Sequence, residues 1–402
     1  LQTHDEEHAA IIVETHVHKP LNQEEWRLVE RWINLLPTEA RQRPGLLATQ
    51  AMIAQFRYRV DRMFSLLDAA QEGLESGAYA YTAAQEQAWM GVVNTFRTLM
   101  WGPESTPEES LRYAELALQQ VDPGTKYVRS VAELGQVVAL QMAGDGPGAI
   151  RLARRKLASR IGPPDAITSR LMIAQSYAYY CEADARGTRN AISAYIDLAQ
   201  RSGQRITLSW LLYIRGWAYY QANLLEEAEG DFLRLSEMRD FAHVRNVIDS
   251  ITGLALIHSA RGELQEARSM VDDLRQFVLE QGPASMMPVA ESLAARLNLE
   301  EHASSALTEF SVEEHEVQQA ADFRELPVLT ACRQAVLSGG KEQLALAENV
   351  LASCQAFASS RNNKRQLMRI GALQALLFEK RGQHQQALSH LKTAVLMGEP
   401  GG

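Results

Sequence analysis

The stretch SWLLYIRGWAYYQANLLEEAEGDFLRLSEMR, residues 209–239, decides the fold. It reads as two amphipathic helices that meet at a turn centred on Asn223. Counted from Ser209, the marker positions are Gly216 (8), Tyr219 (11), Ala228 (20) and Phe232 (24). Asn accepts the left-handed backbone conformation that ends a helix, and Gly and Ala let two helices approach closely. The stretch therefore predicts a helical hairpin.

The same turn recurs along the chain, as a small residue followed five positions later by Ala. Full copies are Gly144–Ala149, Asn223–Ala228, Gly262–Ala267 and Gly382–Ala387, with weaker copies at Tyr58–Met63 and Arg186–Ala191. Asn223 and Gly262 stand 39 residues apart, slightly more than the roughly 34 of a tetratricopeptide repeat. We therefore predict an all-α fold, a right-handed superhelix (α-solenoid) of about ten tetratricopeptide-like hairpins. Residues 1–40 form a helical segment that leads into a repeat domain over residues 41–402.

Composition excludes several classes of protein. Hydrophobic residues make up 46% and charged residues 22% of the chain, and the net charge of −9 argues against a direct nucleic-acid surface. The three cysteines have no metal-type spacing, so we expect buried thiols in a reducing cytoplasm. No apolar run is long enough to span a membrane. Because the sequence begins with Leu1 and ends in two glycines, we expect a piece of a longer protein.

Several stretches resemble one family of regulators. They are residues 25–37 (EWRLVERWINLLP), 43–47 (RPGLL), 110–118, 131–149, 370–378 and 387–402. Together they resemble the helical-repeat region of the large ATP-binding LuxR-type (MalT-type) transcription regulators. The resemblance implies a sensor region that lies between a nucleotide-binding switch and a helix-turn-helix domain. Neither a phosphate-binding loop nor a helix-turn-helix is readable in this chain, so those two partner domains are expected outside it.

The predicted function is that of a sensor domain that binds a small-molecule effector or a peptide in its concave groove. The alternative is a tetratricopeptide-type scaffold that binds peptides or proteins and has no small-molecule effector. No nucleophile motif or singled-out pair of acids points to catalysis, so we expect no enzyme, no catalytic residues and no cofactor.

The predicted groove residues follow from the repeat, in which positions 2, 5, 9 and 12 of the first helix line the concave face. They are Trp210, Tyr213, Trp217 and Tyr220, with Tyr180 from the preceding repeat and Asp249 and Ser259 from the next. The spacing places the four aromatic residues on one helix stripe. Aromatic faces stack on ligands and offer polar edges, but such a stripe also serves to pack neighbouring helices, and both interpretations stay open.

Two further patterns are weaker. His4-Asp-Glu-Glu-His8 fits an inverted zinc-peptidase motif, and His16 and His18 lie nearby, but a solvated helix start explains them and no metal site is predicted. The basic run from Arg151 to Arg160 is typical of a solvated helix face, with an anion or domain contact as the alternative.

Overall fold

The computed structural model describes residues 3–99, 106–160, 165–201, 203–301 and 327–401. Within these ranges the chain contains helices, turns and no β-strand. Successive helices pair into hairpins, which confirms the predicted all-α, tetratricopeptide-like solenoid class. The sequence is least regular over residues 298–325, and of these only 298–301 are described, as the end of the helix Met287–Glu301. The helix breaks that the sequence predicts at Gly102-Pro103 and Gly162-Pro163-Pro164 lie outside the described residues.

Twenty α-helices are described. The first eleven are α1 (Thr3–His16), α2 (His18–Asn22), α3 (Trp26–Leu35), α4 (Pro44–Phe56), α5 (Val60–Glu75), α6 (Ala83–Arg97), α7 (Pro107–Gln120), α8 (Lys126–Met142), α9 (Gly146–Ala158), α10 (Ala166–Cys181) and α11 (Ala185–Arg201). The others are α12 (Arg205–Gln221), α13 (Leu225–Ser236), α14 (Val244–Ala260), α15 (Leu264–Glu280), α16 (Met287–Glu301), α17 (Pro327–Ser338), α18 (Lys341–Ser360), α19 (Lys364–Lys380) and α20 (His384–Gly398). Short 3-10 turns occupy Ala40–Gln42, Ala284–Met286 and Glu399–Gly401.

The helices fall into two compact units. Unit 1 comprises Leu1–Leu140, Ala149–Gln175 and Tyr195–Leu208, and unit 2 comprises Gln141–Gly148, Ser176–Ala194 and Ser209–Gly402. The predicted boundary at residue 40, between the N-terminal segment and the repeats, stays a prediction.

The predicted turns have the expected backbone geometry. Asn223, Gly262, Gly144, Gly382 and Tyr58 all have positive φ. After Asn223, the backbone N–H of Leu224 donates to Tyr219 O at 3.0 Å, the bond that ends a helix in a Schellman turn. The residues five positions after these turns are buried, as the close packing of paired helices requires.

One predicted turn is wrong. The weak copy at Arg186–Ala191 does not mark the helix end, because the residue with positive φ is Ala183. Asp184 follows at once and accepts from Gly187 N at 2.6 Å, so α11 begins at Ala185. The buried small residue five positions after Ala183 is Thr188, which is fully inaccessible.

The hairpin of α12 and α13 is built around Phe232. A Cβ atom added at Gly216 would lie 2.5 Å from one edge of its ring, and one at Gly253 would lie 2.4 Å from the other. The ring of Trp217 packs edge-on against it at 5.5 Å. Glycines on α12 and α14 thus leave the space that the ring of Phe232 on α13 fills.

All three cysteines are free, buried thiols, as expected. Cys332 and Cys354 belong to the apolar core that α17, α18 and α19 share. Burial raises the pKa of each of the three thiols to about 12.

The N-terminal helices of unit 1 are tied to later ones by side-chain bonds. The buried carboxylate of Glu14 accepts from the guanidinium of Arg43 at 3.0 Å, immediately before α4. Asn22 bonds both Gly124 O and Tyr127 N at the start of α8. Glu24 accepts from Ile206 N at 2.8 Å, where α12 begins. The bonds from Asn22 and Glu24 satisfy backbone N–H groups that helix starts leave open.

We expect unit 1 to lose stability in mild acid through His18. Its side chain is largely buried, with Nδ1 unbonded among the described residues and the ring 5.1 Å from that of Trp89. Burial lowers the pKa of His18 from 6.5 to about 4, and the charge of Asp122 opposes the shift only in part. Between about pH 6.5 and pH 4, His18 therefore binds a proton in the unfolded chain but not in the folded chain. Up to about 3 kcal/mol of the free energy of unfolding, present above pH 6.5, is lost as the pH falls to 4.

Urea denaturation of the wild type and of His18→Gln at pH 7.5 and pH 4.5 checks this expectation. The wild type should lose more stability between the two pH values than His18→Gln does. His16→Gln is the control, because His16 is exposed two residues away. An equal loss in wild type and His18→Gln would contradict the assignment.

Candidate functional site

The seven predicted groove residues all lie in unit 2, and four of them are buried. Tyr213 and Asp249 are inaccessible, while Tyr180 and Trp217 are 2% and 3% exposed. Trp210, Tyr220 and Ser259 are half-buried. The stripe is therefore not a uniform solvent-facing surface.

Tyr213 and Asp249 are joined directly. Tyr213 Oη donates to Asp249 Oδ2 at 2.7 Å, across from α12 to α14. The same carboxylate oxygen lies 3.5 Å from Nε of Arg245, whose side chain is also buried. Burial raises the pKa of Tyr213 well above its usual value, and the charge of Asp249 adds to the effect. The hydroxyl thus stays protonated as a donor to the carboxylate.

The two tryptophans of the stripe are held by aromatic contacts. Trp210 lies edge-on to Tyr213 at 5.8 Å and close to His243 at 5.2 Å. Trp217 lies edge-on to Tyr220 at 5.5 Å. Nε1 of Trp217 is buried and donates to no acceptor among the described residues. Trp217 therefore both packs its hairpin and keeps an unused donor.

Tyr180 is covered by an arginine that comes from far along the chain. The guanidinium of Arg365, in the first turn of α19, lies 4.4 Å from the centre of the Tyr180 ring. The side-chain amide of Gln221 lies 3.2 Å from Tyr180 Oη, and its oxygen, in the orientation that satisfies both neighbours, accepts from the guanidinium of Arg365. We call seven of the residues described so far the inner cluster. Its members are Tyr180, Tyr213, Trp217, Gln221, Arg245, Asp249 and Arg365.

Ser259 lies apart from the inner cluster. It stands ten residues after Asp249 on α14, near the end of that helix, which places it roughly 15 Å away along the helix axis. Of the seven predicted residues, Tyr180, Tyr213 and Asp249 interact with one another, and Trp217 stands one helical turn after Tyr213 on α12, while Trp210 and Tyr220 flank them.

A second set of contacts holds α19 over the inner cluster. Asn362, which has positive φ before α19, donates to Met142 O at 2.8 Å, and its own carbonyl accepts from Gln141 at 3.1 Å. Lys364 pairs with Glu182 at 2.5 Å. We call these five residues the clasp. The clasp joins turns that lie about 180 to 220 residues apart in sequence.

Three members of the inner cluster were not predicted. Arg245 stands four residues before Asp249 on the same helix, a spacing that indicates a contact and could have identified it. Gln221 and Arg365 carry no such signal, because their partner Tyr180 lies 41 or more residues away.

The basic run predicted as a solvated face is partly engaged. Glu133, only 2% exposed, accepts from Arg160 at 2.8 Å and lies 3.6 Å from Lys156. These two residues therefore help to neutralise a buried carboxylate in unit 1. A polar cleft of about 690 Å³ also lies in unit 1, beside His16, Lys19, Glu24 and Lys126.

Among the described residues, no three His, Cys, Asp or Glu side chains stand close enough to hold a metal ion. The side chain of His4 lies outside the description. No described helix combines the length and apolar character that a membrane crossing requires.

Comparison with known proteins gives a family, one sequence relative and a related fold. The family model described as "MalT-like TPR region" matches residues 91–402. The HTH-type transcriptional regulator MalT of Vibrio cholerae is 26% identical over 287 residues, which are 68% of this chain and 30% of that protein. The chain therefore spans less than a third of the length of this relative.

A solved structure, that of a Rap protein complexed with competence and sporulation factor, shares the fold. It superposes with a TM-score of 0.52 at 11% identity, covering 98% of both chains. The turns, the hairpin packing and the family match agree, and the chain belongs to the MalT-like tetratricopeptide-repeat family.

Proposed function

We propose that this chain is the effector-sensing region of a transcription regulator and that the effector binds at the inner cluster. Membership of the MalT-like family supports the regulatory part of the proposal. The nucleotide-binding switch and the helix-turn-helix domain are its proposed partners and lie outside this chain. The chain itself performs no chemistry, and the regulator acts in the cytoplasm.

The observation that carries the binding proposal is an unused polar group in a buried place. Nε1 of Trp217 has no acceptor among the described residues, although the side chain is 3% exposed. Oδ1 of Asn246 and Oγ of Ser250, on the first turns of α14, are also buried and have no hydrogen-bond partner in the described part of the chain. Each such group costs about 1–3 kcal/mol, and native proteins keep few of them. A ligand that completes these bonds would recover that free energy.

The clasp explains how binding could be sensed. Because α19 covers Tyr180, a ligand that reaches the inner cluster must change the contacts of Arg365 and then of the clasp. An effector shifts a conformational equilibrium only when it prefers one of the two states. A clasp that is closed without effector and loosened with it provides such a pair of states. The Rap protein with this fold was solved with a bound factor, which agrees with binding by such a scaffold.

One observation favours the alternative, a protein-binding scaffold. Leu388, Leu391 and Val395 form an exposed apolar stripe along α20, with 66%, 46% and 61% of their surfaces accessible. A partner helix with a complementary stripe would fit this face. A scaffold of this kind needs no small molecule at the inner cluster.

Thermal-shift screening of the full chain separates the two functions. We expect a sugar, amino acid, amine, nucleotide or short peptide to stabilise it by roughly 2.7 kcal/mol at 100 times its Kd. Trp217→Phe keeps the ring and removes the N–H, and should weaken that ligand about tenfold, the effect of one lost hydrogen bond. Trp89→Phe, the same change in unit 1, is the control and should leave the affinity unchanged. A ligand that responds equally to both changes would place the site elsewhere, and no stabilising ligand would favour the scaffold.

A further inference from the structure

Arg365 occupies the inner cluster in the manner of a bound ligand. Its guanidinium lies over the face of Tyr180 at 4.4 Å, well within the roughly 6 Å of a cation–π contact. Arg365 is 4% exposed and Tyr180 is 2% exposed, so both groups have given up nearly all contact with water. A desolvated cation–π contact is stronger than an exposed one.

The polar groups around the Arg365 guanidinium are also of the kinds that recognise this group. The amide oxygen of Gln221 accepts from it. Asp249 lies close enough to act electrostatically on Tyr180, whose pKa is raised mainly by burial, with Asp249 adding to the rise and Arg365 opposing it. An aromatic face, an amide oxygen and a nearby carboxylate are the groups that recognise a planar, charged donor. The part of the site contributed by Tyr180 on α10 and Gln221 on α12 is therefore complementary to a guanidinium.

The guanidinium reaches this site from a different part of the chain. Arg365 stands 185 residues after Tyr180, in the first turn of α19, and the neighbouring clasp residues Asn362 and Lys364 fix that turn. Such a tethered group acts like a ligand present at a millimolar local concentration. A free ligand with a guanidinium group must compete with Arg365 for the site. A ligand that binds would displace the Arg365 side chain, which lies next to the clasp.

We propose that Tyr180 and Gln221 form a guanidinium-binding site, that Arg365 fills it as an internal ligand, and that the effector carries a guanidinium group which displaces Arg365. This inference rests on the proposed function and names the chemical class of its effector. An arginine side chain of a peptide and a small guanidinium metabolite share this chemistry.

The test removes the internal ligand and supplies an external one. Agmatine is titrated by calorimetry into the wild type and into Arg365→Ala at fixed ionic strength, and an arginine-containing peptide is titrated in a second arm. We expect Kd for agmatine to fall at least tenfold in Arg365→Ala, because no tethered guanidinium competes. Adding Tyr180→Leu to that variant should abolish binding. Butylamine, an ammonium of comparable length, should bind more weakly than agmatine.

Matched variants keep the result interpretable. Arg381→Ala removes one positive charge immediately after the same helix, where Arg381 pairs with Glu348, and should bind agmatine like the wild type. Arg365→Gln replaces Arg365→Ala if circular dichroism shows that the latter does not fold. A stronger response to the peptide than to agmatine identifies the peptide as the source of the guanidinium.

Three results would overturn the proposal. They are an equal Kd for agmatine in wild type and Arg365→Ala, no binding to any variant, and tighter binding of inorganic phosphate than of agmatine. The proposed function survives each of them if a compound without a guanidinium stabilises the chain and loses affinity in Trp217→Phe. The proposed function fails together with this inference only if no compound both stabilises the chain and loses affinity in Trp217→Phe.

Discussion

Phe232→Ala is expected to lower the free energy of unfolding by roughly 3–5 kcal/mol. The ring is fully buried between Gly216 and Gly253 and touches the ring of Trp217. Since the two nearest positions are glycines, no side chain there can move in to fill the cavity that the substitution leaves. The loss of stability should therefore lie near the upper end of this range for a Phe→Ala substitution. Urea denaturation followed by circular dichroism and tryptophan fluorescence measures it.

The control is Leu233→Ala, the next residue on the same helix, whose side chain is 50% exposed. Surface substitutions of this kind change stability by about 0.5 kcal/mol or less. Gly216→Ala tests the same packing from the opposite side, because its new methyl group would meet the ring and cost about 1–3 kcal/mol. If Phe232→Ala and Leu233→Ala lower the free energy of unfolding equally, the ring of Phe232 does not pack between α12 and α14 as described.

The same hairpin shows how much of the fold could be predicted. Asn223 was recognisable because it is one of the few residue types that accept positive φ, and Gly216 and Phe232 because their spacing is local to one repeat. Ala183 carries no such mark. Its φ is 60°, which alanine rarely adopts, so the sequence pattern directed the prediction to Arg186 instead.

The candidate site was predictable only along one helix. The periodicity of α12 identified Trp210, Tyr213 and Trp217 as one stripe, since helical spacing depends on neighbours in sequence. It could not show that Tyr213 bonds Asp249 or that Trp217 packs against Phe232. Arg365 was beyond prediction altogether, because a contact across 185 residues depends on how many hairpins lie between the two helices and how each one turns.

Asp249→Ala is expected to destabilise the chain by roughly 3–5 kcal/mol, the usual cost of removing one partner of a buried ion pair. Asp249 is inaccessible, and it receives the hydroxyl of Tyr213 at 2.7 Å with Nε of Arg245 at 3.5 Å. Removing the carboxylate takes the acceptor from a buried hydroxyl and the opposite charge from a guanidinium that is 4% exposed. Urea denaturation of the variant and the wild type gives the difference.

Asp273→Ala is the matched control. Asp273 also pairs with an arginine, Arg239, at 3.4 Å, but about a third of each side chain is exposed. An exposed pair contributes about 0–1 kcal/mol, so this variant should stay close to the wild type. An equal cost for Asp249→Ala and Asp273→Ala would contradict the role assigned to burial.

Two more variants separate the charge of Asp249 from its hydrogen bond. Asp249→Asn keeps an acceptor for Tyr213 and removes the charge. If the ion pair with Arg245 contributes most of the stability, this variant should lose nearly as much as Asp249→Ala. If the hydrogen bond from the Tyr213 hydroxyl contributes most, the loss should be about 1 kcal/mol. The geometry favours the charge, because a buried guanidinium costs more to leave uncompensated than a hydroxyl does. Arg245→Met combined with Asp249→Leu should then recover much of the loss, since apolar residues of similar volume often replace a buried pair without penalty. Such a recovery would mean that the ion pair is not needed for stability.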